Sequence, residues 1–96
     1  MAILSDEDIR AAVGGMAGWE HSGGAISRDF DLGSFPAAVA FVVRLAFEAE
    51  AADHHPDLDI RYRRVKVALS THSEGGVTAR DLDLARRIDG VAPAKA

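Results

Sequence analysis

Residues 36–52 constrain this chain more than any other stretch. From Pro36 to Ala52 the sequence is alanine, valine, phenylalanine and leucine almost all round, broken only by Arg44, Glu48 and Glu50. It reads as one helix, with Ser34 as its cap and Pro36 in its first turn. A water-exposed protein can carry so apolar a helix only by burying it on more than one side, against its own sheet and against a neighbour. The stretch is too short and too interrupted for a bilayer, which needs roughly 20 apolar residues. With 96 residues in all, a lone domain buries only about 60–65% of its unfolded surface, so association with further copies is expected.

The flanking segments supply the rest of a single domain over residues 1–96. Ser5, followed by Asp6, Glu7 and Asp8, reads as a helix start, with Ile9, Ala12, Val13 and Met16 at helical spacing until Gly14 and Gly15. Residues 17–32 change period. Ile26, Phe30 and Leu32 alternate with Ser27, Asp29 and Asp31 after a turn at His21-Ser22-Gly23-Gly24, which predicts a hairpin with one buried face. Pro56 ends the apolar helix, because the residue before a proline leaves the α region. Ile60 to Leu69 reads as one or two strands with a bulge or break near Arg63-Arg64. Ser70 to Gly76 is a loop, and Thr78 starts a helix lined by Leu82, Ala85 and Ile88 that should stop at Gly90. Pro93 to Ala96 reads as frayed. The order α-β-β-α-β-β-α argues an α+β fold, an antiparallel sheet with helices packed on one face.

Composition removes several function classes. With no cysteine there is no disulfide, thiolate zinc site or cysteine nucleophile, which fits a reducing cytoplasm. A net charge of -4 repels phosphate backbones, and the basic run Arg61, Arg63, Arg64 and Lys66 lacks interleaved aromatics. That run reads as the solvated edge of a strand, and no direct nucleic-acid partner is expected. Met1 to Asp8 turns acidic at once and has no basic region, so it does not read as a signal peptide.

Four histidines remain to be explained. Two are adjacent, in Glu50-Ala51-Ala52-Asp53-His54-His55-Pro56, and His72 follows in the later loop. Histidine exchanges protons near neutral pH, and a carboxylate beside it fixes its tautomer. Glu50 and His54, four apart, should share a helix face. His54 and His55 must point in different directions, so at most one can aim into a given pocket. A metal site on His54, His55 and His72 is the competing reading, but vicinal histidines are awkward co-ligands and no His-x-x-x-His is present. No metal is expected. His21 reads as a turn residue.

The block from Glu50 to Pro56, then Tyr62, Leu69-Ser70-Thr71-His72, and Gly75-Gly76-Val77-Thr78-Ala79-Arg80-Asp81, resembles the pterin-4a-carbinolamine dehydratase family. The resemblance runs from about Trp19 to Ala92. It implies a four-stranded antiparallel sheet with three helices on one side, assembled as a homodimer or homotetramer. It also implies dehydration of 4a-hydroxytetrahydropterin to quinonoid dihydropterin in tetrahydrobiopterin recycling, without metal or organic cofactor. It places His54, His55 and His72 in the pterin cleft, with His54 and His72 for direct proton transfer and His55 for binding. Glu50 and Asp81 would be the supporting carboxylates. Pro56, Thr71, Ser73 and Glu74 would contact the substrate, and Trp19 would help close the pocket. Leu58 stands where the family usually carries an aromatic, so one aromatic wall of the cleft is expected to be absent. The alternatives are an enzyme for another pterin, or a non-catalytic module that dimerises a transcription factor or assists assembly of a carbon-fixing enzyme.

Overall fold

Each expected helix forms where its cap was read. In the computed structural model, which describes residues 2–93, α1 spans Asp6–Gly14, with the Ser5 hydroxyl accepting from the Asp8 amide at 3.1 Å. Strands β1 (Glu20–Ser22) and β2 (Ala25–Asp31) follow, then α2 (Phe35–Ala52), β3 (Asp57–Arg61), β4 (Arg64–Leu69) and α3 (Ala79–Val91). The sheet is antiparallel throughout, in the order β1-β2-β4-β3. Gly23 and Gly24 turn the first hairpin with φ of 62° and 77°, a twist that suits a two-residue connection. His21 lies in β1 rather than in that turn.

The helices cover one face of the sheet, where Ile26, Phe30, Val65, Val67 and Leu69 are buried. Arg28 shares the parity of Ile26 and Phe30 and so points inward as well. Its guanidinium lies 4.2 Å above the Phe30 ring and bonds Asp89 at 2.8 Å, and the Trp19 indole N–H donates to the same carboxylate at 3.0 Å. A Cβ at Gly18, where φ is 86°, would come within 2.7 Å of Arg28 Nε. Only glycine lets the backbone pass so close to the arginine.

Three boundaries differ from the sequence reading. The break near Arg63-Arg64 is a two-residue turn at Tyr62-Arg63, with Tyr62 at a φ of 54°, and β3 begins at Asp57. The turn resets the parity, so Leu58 and Ile60 oppose Val67 and Val65 on the core side. Of the basic run only Arg61 lies on an edge strand, β3; Arg63 is in the turn, and Arg64 and Lys66 belong to the inner strand β4, on the open face of the sheet. There Lys66 pairs in register with both Asp29 and Asp59, while Arg63 and Arg64 approach Asp31 at 3.2 and 3.8 Å. Finally, α3 runs through Gly90. It ends where Ala92 is forced into extended backbone (φ -78°, ψ 147°) before Pro93. The expected fraying falls mainly on residues 94–96, outside the described residues.

Helix α2 buries Ala38, Phe41, Leu45 and Ala49. Its other side carries Phe35, Val39, Val43 and Phe47, spaced four apart in one stripe and exposed by 51, 39, 51 and 72%. Within one chain the helix is therefore buried on one side only, because the single layer of helices leaves nothing to cover the second. Among the described residues no helix is long and apolar enough to cross a membrane.

Candidate active site

The end of α2 builds the first wall of the site. Asp53 adopts the left-handed conformation at φ 49°, the His54 amide reaches back to the Ala49 carbonyl, and the Asp53 amide to Glu50, both at 3.1 Å. These two bonds make a Schellman stop with aspartate where glycine is usual. The reversal removes His54 from the helical spiral, so the expected Glu50–His54 pair does not form. Instead Glu50 Oε1 meets His55 Nε2 at 2.9 Å in an exposed pair, and His54 turns into the protein.

There it meets the start of α3. Asp81, fully buried, accepts from His54 Nε2 on one carboxylate oxygen. The other oxygen accepts from the Thr78 amide and the Thr71 hydroxyl, each at 2.9 Å. Since the Thr71 proton is committed to Asp81, the Thr78 hydroxyl donates to Thr71 Oγ1 across 2.8 Å, and itself accepts from the Arg80 amide. Three donors thus satisfy one buried carboxylate, which is what lets a charge reside there. With Nε2 carrying the proton toward Asp81, the neutral His54 ring keeps its lone pair on Nδ1.

The second wall is the loop after β4. Thr71 bridges to Gly76 and its carbonyl takes the amides of Glu74 and Gly75, so the loop is tied at its base while His72 and Ser73 stay exposed. The His72 side chain has no hydrogen-bond partner among the described residues. Between the walls lies an open cleft of about 240 Å³, bounded by Asp53, His54 and His55, by Ser70 to Ser73, and by Arg80. It brings His54, His55, His72, Thr71 and Ser73 together, with Asp81 behind His54 and Glu50 on His55.

Pro56, Glu74 and Trp19 do not line this cleft. Trp19 is 5% exposed, packs edge-on against Phe30 with centroids 6.3 Å apart, and borders a separate cavity beside α1 together with His21. Asp53, Ser70 and Arg80 line the cleft although the sequence assigned none of them to the site, and Arg80 comes from the most distant element. It was visible only as part of a helix start, and nothing local announces that its side chain crosses to α2. Among the described residues no cluster of three or more His, Asp or Glu is arranged to hold a metal ion. What the cleft offers is two imidazoles, each held by a carboxylate, and a third free to turn, around a space fit for a small ring system.

The family model for pterin 4 alpha carbinolamine dehydratase matches residues 2–91. The chain belongs to this family. The match extends to α1, so the likeness is wider than the stretch from Trp19 onward that the motifs suggested. A relative from Roseiflexus castenholzii is 52% identical over 94% of this chain and 97% of its own, and one from Nocardia farcinica 56% identical over 94% and 95%. Both bear the name "Putative pterin-4-alpha-carbinolamine dehydratase". A crystal structure described as a transcriptional coactivator/pterin dehydratase from Brucella melitensis superposes with a TM-score of 0.89 at 36% identity, over 95% of this chain and 99% of that one. This pterin 4 alpha carbinolamine dehydratase family member therefore shares the fold of a solved relative over its whole helical layer and sheet.

Proposed function

We propose that the chain is a 4a-hydroxytetrahydropterin dehydratase. The observation that carries this reading is the His54 ring, fixed by buried Asp81 at the wall of a cleft that also holds His55 and His72. The reaction removes the hydroxyl from C4a and the proton from the adjacent N5. A C4a=N5 double bond forms, and the hydroxyl leaves as water once protonated. It needs one base and one acid on a planar bicyclic substrate. His54 Nδ1 is the base, its tautomer held by Asp81. His72, unpartnered on its loop, is the acid. His55, braced by Glu50, binds and orients the pterin. Thr71 and Ser73 belong to the cleft wall.

The purified protein is expected to speed loss of freshly generated 4a-hydroxytetrahydropterin, and His72→Ala to lower the rate about 10²-fold or more. No acceleration by the wild-type protein over buffer would sink the reading, and a parallel screen of other pterins would reveal a different substrate.

The stripe of Phe35, Val39, Val43 and Phe47 favours a second, compatible role for the surface: the protein works as a homodimer or homotetramer assembled on α2. A partner-binding module without catalysis is the rival account. It predicts that protein binding survives in a His54→Ala/His72→Ala double variant while wild-type protein shows no dehydration.

A further inference from the structure

Arg80 has no part in the roles above, yet it is placed to govern one of them. It sits half-buried in the first turn of α3, immediately before Asp81. Its Nη2 donates to the Asp53 carbonyl at 2.6 Å and approaches the Ala52 carbonyl at 3.4 Å. Those are the carbonyls of the last α2 residue and of the left-handed residue that turns the chain toward His54.

Two physical needs meet at this contact. The left-handed conformation is disfavoured for a residue with a side chain, and it persists where its surroundings over-determine it. The two Schellman bonds use the amides of Asp53 and His54 and leave the Asp53 carbonyl to Arg80. In addition, the last turn of α2 contains no basic residue, so the negative end of its dipole receives its cation from α3. Arg80 lines both the cleft and a second cavity of about 190 Å³ that also reaches His54 and is bounded by Ala52, Asp83, Leu84 and Arg87.

We infer that Arg80 is the positioning residue for His54: it clamps the main chain just before the histidine while Asp81 clamps the ring. One turn of α3 thus holds the main chain that leads into His54 and the tip of its ring. The kinetic arm of the test rests on the dehydratase reading; the spectroscopic arm does not.

The test uses histidine-labelled protein and nitrogen-15 imidazole spectra, which report the tautomer of each ring. Wild-type His54 is expected in one tautomer, with the proton on Nε2. Arg80→Gln should fold yet show averaged tautomers at His54, with kcat reduced about tenfold and KM changed by less than about threefold, as for a misplaced catalytic group. Adding Asp53→Gly, which reaches the left-handed region without steric cost, should restore the single tautomer. An unchanged His54 spectrum in Arg80→Gln, or no restoration by Asp53→Gly, overturns the inference. A rise in KM alone would make Arg80 a substrate contact instead. Should Arg80→Gln fail to fold, Arg80→Lys, shorter in reach but equal in charge, decides by the same spectrum, and an unchanged His54 there counts against the clamp. If the wild-type protein dehydrates no pterin, the spectra still judge the clamp on their own.

Discussion

The His54 ring and the Asp81 carboxylate meet inside the protein although 27 positions separate them. Asp81 gives its other oxygen to the start of its own helix, so the cap of α3 and the histidine share one side chain. Stability and site geometry are coupled at this point, because no group can loosen one without disturbing the other.

Replacing Asp81 by asparagine sets an amide N–H₂ against the Thr78 amide donor or, turned the other way, forces His54 to accept on Nε2 and carry its proton on Nδ1, which removes the proposed base. We expect a loss of about 1–3 kcal/mol, the cost of a buried polar group left unsatisfied. Thermal unfolding should shift by roughly 4–8 °C for each kcal/mol in a domain of this size. Dehydration should fall with it, and an asparagine variant that melts with the wild type would show that the network carries little.

Glu50 and His55 behave differently, since their side chains are 81 and 61% exposed. An exposed ion pair contributes about 0–1 kcal/mol, so Glu50→Gln should melt within a few degrees of wild type. If His55 orients the substrate, the same change raises KM more than it lowers kcat. Steady-state kinetics beside a melting curve separates the two effects.

Gly18→Ala should destabilise the protein by about 1–3 kcal/mol, because it combines a positive φ with a Cβ pushed against Arg28. The sole tryptophan, Trp19, is the neighbouring residue and shares Asp89 with Arg28, so its fluorescence reports the change directly. In urea the midpoint should fall with an unaltered slope. An unchanged midpoint would mean that the arginine swings aside freely.

The stripe on α2 predicts the behaviour of Val43→Glu/Phe47→Glu. Both residues are already exposed in the single chain, so the fold should survive with unchanged helical circular dichroism. Sedimentation should show the wild type as a dimer or tetramer and the double variant as a smaller species. A monomeric wild type at tens of micromolar would remove α2 as an assembly surface.

Much of this architecture could be read locally. The caps at Ser5, Ser34 and Thr78, the Gly23-Gly24 hairpin and the alternation of Ile26 with Phe30 each depend on residues within four positions of one another. The motif around His54, His55 and His72 named the family for the same reason, as a pattern carried in the chain itself. Arg28 was passed over because its partner, Asp89, lies 61 residues away. The Glu50–His54 pairing failed because an ideal spiral was assumed one residue past a left-handed turn.

The amino-acid sequence by itself determined the element order, the family, the histidines and an α2 too apolar for water on every side. Tertiary structure alone decided which carboxylates His54 and His55 meet, that Arg80 reaches across to α2, and that Trp19 serves the core rather than the cleft. Hydrogen-bonded caps and side-chain period are short-range properties of a polypeptide, whereas the direction of a side chain at a helix end follows from what packs against it. Here that is the first turn of α3, which sequence places far from His54 and folding places beside it.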